Sequence, residues 1–286
     1  MLSLTDKLLL TWFCQKRGLK VLWGEHESLK NGKGEWRKWL RKNPFLRIYR
    51  SLSRFATVVT VSHLLEGQFR QMGGVQHLLT IEGAIGNMNK SEDDWSPPHS
   101  EKFVIGTAGR LKAEKGIFQL LDAAAVFKNR KDVQFDIYGE GPMEDEFRVE
   151  ILLRGLQDIV FLRGKVRPDR MEKVYETFDV AIFLSLETES FGLAPLEAMS
   201  CGVPAIITNH FGFLESAEHH PFLVVDPHGT HKVIELISAL MQDEKYREST
   251  AEAQRNYVHE RFSEQKMIDQ YVELIGGNQQ IPATLF

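Results

Sequence analysis

The amino-acid sequence predicts an α/β fold made of two domains with parallel sheets. Short apolar, β-rich runs alternate with helical patterns along most of the chain, which is typical of parallel strands covered by helices on both faces. A polar, proline-containing segment over residues 89–102 divides these patterns into two groups. The 286 residues, 43% hydrophobic and 26% charged, have an ordinary globular composition with room for two domains.

Nine apolar runs have the length and composition of buried strands. They cover residues 19–23, 57–62, 77–82, 103–109, 133–139, 159–164, 180–185, 204–208 and 222–226. Helical patterns lie between them, notably at residues 117–130, 143–154, 169–177, 231–241 and 243–260. The stretch "LAPLEAMS" predicts a further short helix, because Pro195 suits its first turn and Gly202 with Pro204 suits its end. A last helix is predicted over 263–275, with Ser263 as its N-cap.

The strands are unevenly divided between the two domains. Residues 1–95 hold only two or three of them, so we expect an incomplete Rossmann-like N-terminal domain. Residues 96–262 hold six and predict a complete doubly wound unit. Residues 263–286, a helix and a tail, follow the last strand–helix unit, and we expect them to cross back to the N-terminal domain.

Composition and charge exclude several classes of protein. The net charge of −4 gives no case for nucleic-acid binding, and two cysteines, Cys14 and Cys201, are too few for a disulfide framework. No apolar run is long enough to cross a bilayer. Residues 1–18 resemble an amphipathic helix more than a signal peptide, because an acidic residue precedes the apolar part. We therefore expect a cytoplasmic protein.

One segment, residues 30–54, is strongly basic. It holds nine Lys or Arg and a single Glu. Its apolar and aromatic residues are interleaved at helical spacing: Trp36, Trp39, Leu40, Phe45, Ile48 and Tyr49. Such a segment can lie on an anionic membrane surface, which would place the protein peripherally at the inner face of the membrane. It is equally compatible with a solvated helix whose aromatic residues fill a local core.

The stretch "TESFGLAPLEAMSCGVPAI" places two carboxylates around a helix start. Glu189 follows a predicted strand, and Glu197 lies one to two turns into the next helix. Backbone N–H groups near Gly192 and Leu193 would point out of the helix N-terminus, where anions bind. This pattern suits a ligand with both phosphates and hydroxyls. Taken alone, it is equally compatible with a solvated loop glutamate and an ordinary helix glutamate.

The loop after the predicted strand 103–109 carries two cations. Gly109 permits a tight turn at the strand's carboxyl end, and Arg110 and Lys115 flank the start of the next helix. Ligands of open α/β sheets bind outside the carboxyl ends of the strands, and both cations suit a diphosphate. The loop is not a Walker A motif, and the glycines of "YGEGPM" do not complete a GxGxxG pattern. Without other support, surface solvation explains both cations.

Four stretches that follow one another along the chain are together specific enough to indicate a family. They are "TAGRLKAEKG", "YGEGPMEDEF", "FLRGKVRPDRMEKVYETFDVAIFLS" and "ETESFGLAPLEAMSCGVPAI". Together they resemble the donor-binding domain of the retaining glycosyltransferases of family 4, over about residues 95–275. The resemblance implies a GT-B fold of two Rossmann-type domains, with the N-terminal one incomplete here. It also implies transfer of a hexose from a UDP-, GDP- or ADP-linked donor with retention of anomeric configuration. The resemblance further implies nucleotide-sugar binding and a role in cell-envelope polysaccharide biosynthesis.

The resemblance also implies roles for individual residues. Arg110 and Lys115 would hold the diphosphate, and Glu189 would accept hydrogen bonds from the donor sugar. Glu197 would bind the ribose hydroxyls. The other expected donor-binding residues are Gly109, Gly139, Gly141 and Val166, of which the last three line the nucleobase, and Ser190, Phe191, Gly192 and Leu193. No cofactor and no metal are expected, and we see no cluster with metal-ligand spacing.

The N-terminal part resembles the family only in its later strands. "LKVLWGEHESL" resembles the strand that ends in an active-site histidine, which would be His26. "FATVVTVSHLLEGQF" resembles the next strand with its Ser62, whereas "IEGAIG" departs from the family's Asn-Gly turn. The family's first strands and glycine-rich loop have no counterpart. A second copy of the chain, or a partner chain, could therefore complete this domain.

Three classes of function follow. The first is a retaining glycosyltransferase acting on an unknown acceptor, lipid-linked or polysaccharide. The second is a nucleotide-sugar-binding module that needs a partner for transfer, which the short first domain favours. The third is a GT-B epimerase, against which the pair Glu189 and Glu197 argues.

Overall fold

The computed structural model describes residues 10–14, 16–26, 44–86, 93–217 and 219–276. It is an α/β protein with two parallel sheets, which confirms the predicted fold class. None of the helices in these ranges is long and apolar enough to cross a membrane.

The N-terminal sheet has three strands in the order β1-β2-β3. They are β1 (Leu22–Glu25), β2 (Thr57–Thr60) and β3 (His77–Thr80). Helix α1 (Pro44–Ser53) precedes β2, and α2 (His63–Met72) follows it. Ser62 caps α2 by accepting a hydrogen bond from the backbone N–H of Leu65, 3.2 Å away. The apolar core of this part is small and centres on Trp23 and Phe69.

The second sheet has six parallel strands in the order β6-β5-β4-β7-β8-β9. The strands are β4 (Phe103–Ala108), β5 (Val133–Tyr138), β6 (Val160–Gly164), β7 (Val180–Phe183), β8 (Ala205–Thr208) and β9 (Leu223–Val225). The chain builds outward from β4 to β6 and then returns to β7 on the other side of β4. The carboxyl ends of the paired strands β4 and β7 thus mark the topological switch point, where open α/β sheets bind ligands.

Helices cover both faces of this sheet. They are α3 (Ile117–Val126), α4 (Glu144–Arg154), α5 (Met171–Tyr175), α6 (Leu193–Ser200), α7 (Thr230–Gln242), α8 (Glu244–Arg261) and α9 (Glu264–Gly276). Two large apolar clusters result, one for each face of the sheet. This coverage explains why β5 and β7 are buried along their whole length and why β7 is continuously apolar. In β5, Gln134 and Asp136 are buried as well, and the Gln134 amide donates to Asp136 at 2.9 Å.

The predicted elements agree closely with the observed ones. Each of the nine predicted strands corresponds to an observed one, and the short helix matches α6 at both ends. The first strand begins at Leu22 rather than at residue 19. Of the helix predicted over residues 1–18, the described residues 10–14 are helical. The domain boundary near residue 95 remains a prediction.

The basic segment 30–54 lies largely outside the described residues, which resume at residue 44. Its described part forms α1. The ring of Tyr49 packs against Trp23 and Phe69, with centroids 5.1 and 6.0 Å apart, and its hydroxyl donates to Glu25 at 3.0 Å. Tyr49 therefore fills a local core, as the alternative reading of this segment predicted, whereas Ile48 is exposed.

The two sheets are joined by contacts near the carboxyl end of β2. The Ser62 hydroxyl donates to the carbonyl oxygen of Ser190 at 2.5 Å. The Ile85 N–H donates to the carbonyl of Phe262 at 2.9 Å, and Arg261 pairs with Glu82 at 2.6 Å. The chain at the start of α9 thus lies against residues that precede the linker.

Candidate functional site

Two adjoining cavities open at the carboxyl ends of β4, β5 and β7. They share a wall formed by Ala108, Gly109, Arg110, Tyr138 and Ala194. The first cavity lies at the switch point and has an empty volume of about 670 Å³, including the part open to solvent. The second extends past the ends of β5 and β6. Together they form one elongated cleft, which we call the donor cleft.

Glycines allow the loops of the donor cleft to pack closely. Gly139 has a φ of 140°, and a Cβ there would overlap the carbonyl oxygen of Gly109. A Cβ on Gly141 would similarly overlap the backbone of Leu111. Two hydrogen bonds of 3.0 Å join these loops, from Gly109 N–H to the Tyr138 carbonyl and from Leu111 N–H to the Glu140 carbonyl. The glycines therefore shape the wall that a ligand would contact.

Helix α6 begins at the first cavity without a side-chain cap. Its N-cap is Gly192, in a left-handed conformation with φ of 101°. Among the described residues, no backbone acceptor is found for the N–H groups of Phe191, Gly192 and Leu193. Gly192 and Leu193 line the cavity. Uncapped N–H groups and the helix dipole favour an anion at this position.

A lysine and a glutamate form an ion pair at the first cavity. The Lys115 ammonium is ion-paired with Glu189, and the Ser185 hydroxyl donates to the same Glu189 oxygen at 2.9 Å. Lys115 ends a short 3₁₀ turn, Ala113–Lys115. The next residue, Gly116, has a φ of 69°, and a Cβ there would overlap the Leu184 carbonyl. The turn can therefore approach β7 and bring Lys115 to the cavity.

The backbone around Glu189 is held by the end of β8. The Glu189 N–H donates to the His210 carbonyl at 2.8 Å. The carbonyl of Ser185 accepts from the Thr208 hydroxyl at 2.8 Å and lies 3.1 Å from Nδ1 of His210. Ser185 is itself buried. The Glu189 carboxylate is thus oriented by groups on two neighbouring strand ends.

Arg110 and Glu197 occupy different parts of the donor cleft. Arg110 is exposed, lines both cavities and has no carboxylate partner in the described part of the chain. Glu197 lines only the second cavity, and it accepts from the buried hydroxyl of Tyr175 at 3.0 Å. Burial raises the pKa of Glu197, and the bond from Tyr175 opposes that shift. Burial and the nearby Glu197 raise the pKa of Tyr175 well above its usual value.

The far end of the second cavity is lined by glycine backbone, apolar side chains and charged side chains. Gly139, Gly141 and Val166 lie there together with Met171. At the rim, Lys165 and Glu140 form an exposed ion pair of 2.5 Å. A flat ring could enter between these walls. The first cavity thus carries Lys115 and Glu189, and the second carries Glu140, Glu144, Lys165 and Glu197.

The structure brings most of the expected site residues together around the donor cleft. Three of them, His26, Ser190 and Phe191, do not line either cavity. His26 follows β1, is exposed, and lines neither cavity. The Ser190 carbonyl faces Ser62 of the N-terminal part. The Phe191 ring is buried between the two parts of the molecule, with its ring 2.7 Å from where a Cβ of Gly83 would be. Phe191 can therefore contact a ligand in the donor cleft only through its backbone.

Sequence reasoning missed the residues that support the two glutamates. Ser185, Thr208 and Tyr175 were not singled out, and neither was His210. Ser185 and Thr208 stand at the carboxyl ends of predicted strands, where ligands bind, so their positions carried a usable signal. Tyr175 carried none, because its contact with Glu197 is tertiary. Among the described residues, no group of three His, Cys, Asp or Glu could hold a metal ion.

The fold and the donor cleft together define a GT-B-like α/β protein. The chain belongs to the family Glycosyl transferases group 1, whose profile matches residues 89–257. This confirms the predicted relation to GT-B glycosyltransferases.

Two relatives and one solved structure illustrate the similarity. The chain is 28% identical over 186 residues to N-acetyl-alpha-D-glucosaminyl L-malate synthase of Bacillus anthracis, covering 65% of this chain and 48% of that protein. It is 27% identical over 182 residues to the capsular polysaccharide biosynthesis glycosyltransferase CapM of Staphylococcus aureus, covering 62% and 47%. The chain thus spans about half the length of these relatives. The crystal structure of Anabaena Alr3699/HepE in complex with UDP and glucose has a TM-score of 0.79 at 22% identity, covering 96% of this chain and 76% of that one.

Proposed function

We propose that the protein is a retaining glycosyltransferase of family 4 that transfers a hexose from a nucleotide sugar. One observation carries the proposal. The donor cleft joins a cavity with Lys115, Glu189 and the start of α6 to a second cavity with Glu197. A nucleotide sugar has the same order of groups, because a diphosphate separates the hexose from the ribose and base.

The diphosphate would be bound by cations and by the helix start. Arg110 has no carboxylate partner among the described residues, so it is available to phosphate oxygens. The Lys115 ammonium, paired with Glu189 here, would turn to the diphosphate when donor binds. The N–H groups at Gly192 and Leu193 would add further donors. Preorganised charge of this kind can lower a barrier by several kcal/mol when charge develops on a leaving group.

The reaction would proceed at the front face of the sugar. The bond between the anomeric carbon and the diphosphate oxygen breaks, and its electron pair stays on the diphosphate. The acceptor oxygen bonds to the anomeric carbon on the same face, and its proton passes to the diphosphate. This gives retention. A covalent intermediate on Glu189 is less favoured, because Lys115 and Ser185 already engage one oxygen of its carboxylate.

Glu189 and Glu197 would bind hydroxyl groups in different parts of the donor. Glu189 would accept from hexose hydroxyls and Glu197 from ribose hydroxyls, while Gly139, Gly141 and Val166 line the base. We propose that no metal or other cofactor is needed, since Lys115 and Arg110 supply the positive charge. UDP sugars are the first donors to test, before GDP and ADP sugars, because Alr3699/HepE has a similar fold and its structure contains UDP.

The acceptor is proposed to be a cell-envelope saccharide, polymeric or lipid-linked. This rests on the names of CapM and of an O-antigen chain mannosyltransferase C of Escherichia coli, which is 29% identical over 184 residues. A lipid-linked acceptor would suit a cytoplasmic protein at the inner face of a membrane. His26 would lie on the acceptor side, because it follows β1 at the carboxyl edge of the N-terminal sheet.

A binding module that needs a partner chain is the second candidate. The observation that favours it is that His26 lines neither cavity of the donor cleft. A second copy or another chain could then supply acceptor-side groups. A GT-B epimerase is the third candidate, and conversion of the donor without acceptor would support it.

A two-stage experiment tests the proposal. A thermal-shift screen of UDP, GDP and ADP sugars should give one class of stabilising donor. Incubation with that donor and envelope-derived acceptors should then give a glycoside whose anomeric configuration, read by NMR, matches the donor. Product of inverted configuration would refute retention. Transfer that appears only after a partner chain is added would establish the binding module.

A further inference from the structure

We infer that Tyr175 is a positioning residue of the donor cleft, whose buried hydroxyl orients the Glu197 carboxylate so that it can bind the ribose of a nucleotide. Because the ribose role of Glu197 belongs to the proposed function, this assignment rests on that function and deepens it. Tyr175 touches no reacting atom and acts only through the carboxylate that it contacts. Nucleotide affinity then depends on a hydroxyl whose own side chain is only 1% exposed.

The ring of Tyr175 is fixed by the apolar core. Tyr175 is the last residue of the short helix α5 and belongs to the same apolar cluster as Phe178 and Leu196. Its ring meets the ring of Phe178 edge to face, with centroids 6.0 Å apart and an interplanar angle of 87°. Close packing restricts a buried ring to one rotamer. The position of the hydroxyl is therefore determined by the core and not by the ligand.

The hydroxyl of Tyr175 engages one oxygen of Glu197 and leaves the other to a ligand. It donates to Oε2 of Glu197 at 3.0 Å. Among the described residues, no hydrogen bond to Oε1 is found. Glu197 is partly exposed, and both residues line the second cavity. One carboxylate oxygen is thus held by the protein, while the other is available to hydroxyl donors.

This contact orders Glu197 before a ligand binds. A glutamate side chain has several rotatable bonds, and ordering it on binding costs conformational entropy that lowers affinity. In the described part of the chain, the bond from Tyr175 is the only hydrogen bond to the Glu197 carboxylate. Loss of that bond would leave the carboxylate free to rotate, and the ribose would meet an acceptor that is no longer preorganised.

Tyr175 also favours the ionised form of Glu197. Burial raises the pKa of Glu197, and the hydrogen bond from Tyr175 opposes that rise. Burial also raises the pKa of Tyr175 well above its usual value, so the hydroxyl keeps its proton and remains a donor. An ionised carboxylate only accepts hydrogen bonds, whereas a protonated one has given up part of that capacity. One hydrogen bond therefore supports both the orientation and the charge that ribose binding needs.

Other ionisable groups near Glu197 enter any pH dependence of nucleotide binding. On the elements around α6 they are Glu172, Glu176, Cys201, Arg255 and His259. Along the second cavity they are Arg110, Glu140, Glu144 and Lys165. Burial raises the pKa of the Cys201 thiol to about 11, so the thiol stays neutral. The variant Glu197→Gln retains all of these groups and therefore isolates the contribution of the Glu197 carboxylate.

Titration calorimetry with two nucleotides tests this inference. The probes are UDP and its dideoxy form, which lacks the ribose hydroxyls, or the same pair with another base if the donor screen selects it. The ratio of their dissociation constants measures the ribose contribution. Tyr175→Phe should lower this ratio about tenfold, because it deletes a hydrogen bond to a charged group. Tyr257→Phe is the matched control, since Tyr257 packs against the same apolar cluster, lines neither cavity and should leave the ratio unchanged.

A pH profile and a double variant separate positioning from a structural role. In Tyr175→Phe the pKa of Glu197 should rise further. As the pH is lowered, UDP binding should therefore weaken at a higher pH than in the wild type, and Glu197→Gln should lose this dependence. The double variant Tyr175→Phe/Glu197→Gln should bind UDP as well as Glu197→Gln alone does, because Tyr175 acts through Glu197. A structural role would weaken UDP and its dideoxy form equally and leave the pH profile unchanged.

The variants also distinguish failure of this inference from failure of the proposed function. If Glu197→Gln lowers the ratio and Tyr175→Phe does not, Tyr175 is not a positioning residue, and Glu197 keeps its ribose role. If Glu197→Gln leaves the ratio unchanged, the ribose role of Glu197 is wrong and the inference fails with it. Losses that add in the double variant would show that Tyr175 acts through another group. Thermal unfolding of each variant shows whether it is folded.

Discussion

The N-terminal sheet and the six-stranded sheet follow the same parallel plan but differ in how they are stabilised. The six-stranded sheet has a large apolar cluster on each face. The N-terminal sheet has a single small cluster around Trp23 and Phe69. Part of its surface instead packs on the other domain, since Val61 belongs to the same cluster as Phe191 and Phe262. The comparison teaches that the donor cleft is built on the part with the larger core. We therefore expect the N-terminal part to depend on its neighbours for stability.

The largest expected effect comes from removing one ring from each core. Phe69→Ala and Phe147→Ala each delete a fully buried ring, and each should cost about 3–5 kcal/mol of unfolding free energy. Hydrogen exchange should then differ between the variants. Phe69→Ala should release β1–β3 while the six-stranded sheet stays protected and nucleotide binding persists. Loss of protection everywhere would show that the two parts unfold as one unit.

The second effect concerns the phosphate end of the donor cleft. Lys115→Ala should weaken UDP by about ten- to hundredfold, because a charge-assisted hydrogen bond contributes roughly 1.5–3 kcal/mol, and it should leave uridine nearly unchanged. Lys112→Ala is the matched control, because Lys112 pairs with Glu114 in the same loop and lines neither cavity. Equal weakening of UDP and uridine in titration calorimetry would remove Lys115 from the phosphate site.

The third effect is a pH dependence of stability. Because burial raises the pKa of Glu197, the folded protein holds that proton more tightly than the unfolded chain does. This contribution is present below the ordinary glutamate pKa and is lost as pH rises through the raised value. Glu197→Gln should therefore be more stable than wild type at pH 8, and the difference should vanish at low pH.

Urea denaturation across this pH range measures the effect. Glu187→Gln, which alters an exposed carboxylate of the nearby loop, is the control and should track the wild type. A Glu197→Gln variant with the wild-type pH profile would contradict the burial of an ionised carboxylate.

The smallest effect should come from Ser185→Ala. It removes one hydrogen bond to Glu189, worth about 1 kcal/mol, which corresponds to roughly fivefold in affinity. The loss should appear with UDP-glucose and not with UDP, because Ser185 acts through Glu189. Ser185→Thr keeps the hydroxyl and should restore affinity. A loss of equal size for both ligands would indicate a general change in the cleft.

The sequence predicted the architecture of the six-stranded sheet well because local patterns decide it. Buried strands such as β7 and β8 are apolar runs in the sequence, and Gly192 and Pro195 mark the start of α6. Local sequence patterns did not predict tertiary contacts. The bond between Tyr175 and Glu197 joins two elements whose patterns say nothing about each other.

The predicted and observed structures agreed less well in the N-terminal part, where local sequence patterns are weak. The first strand begins three residues later than predicted, because Leu19 belongs to the exposed edge and not to the sheet core. The basic segment 30–54 was compatible both with a membrane-binding segment and with a solvated helix whose aromatic residues fill a local core. Its described part, α1, directs Tyr49 inward, while the exposed aromatic residues among those the structure describes are Trp12, Phe13 and Phe55.

The central claim is that Glu189 binds the hexose and Glu197 binds the ribose of the same nucleotide sugar. Titration calorimetry of Glu189→Gln and Glu197→Gln with UDP and with UDP-glucose tests it most directly. Glu197→Gln should weaken both ligands, because both contain the ribose. Glu189→Gln should weaken only UDP-glucose, because Glu189 is proposed to accept hydrogen bonds only from the hexose. If the two variants behave alike with both ligands, the division of the donor cleft into a sugar end and a ribose end is wrong.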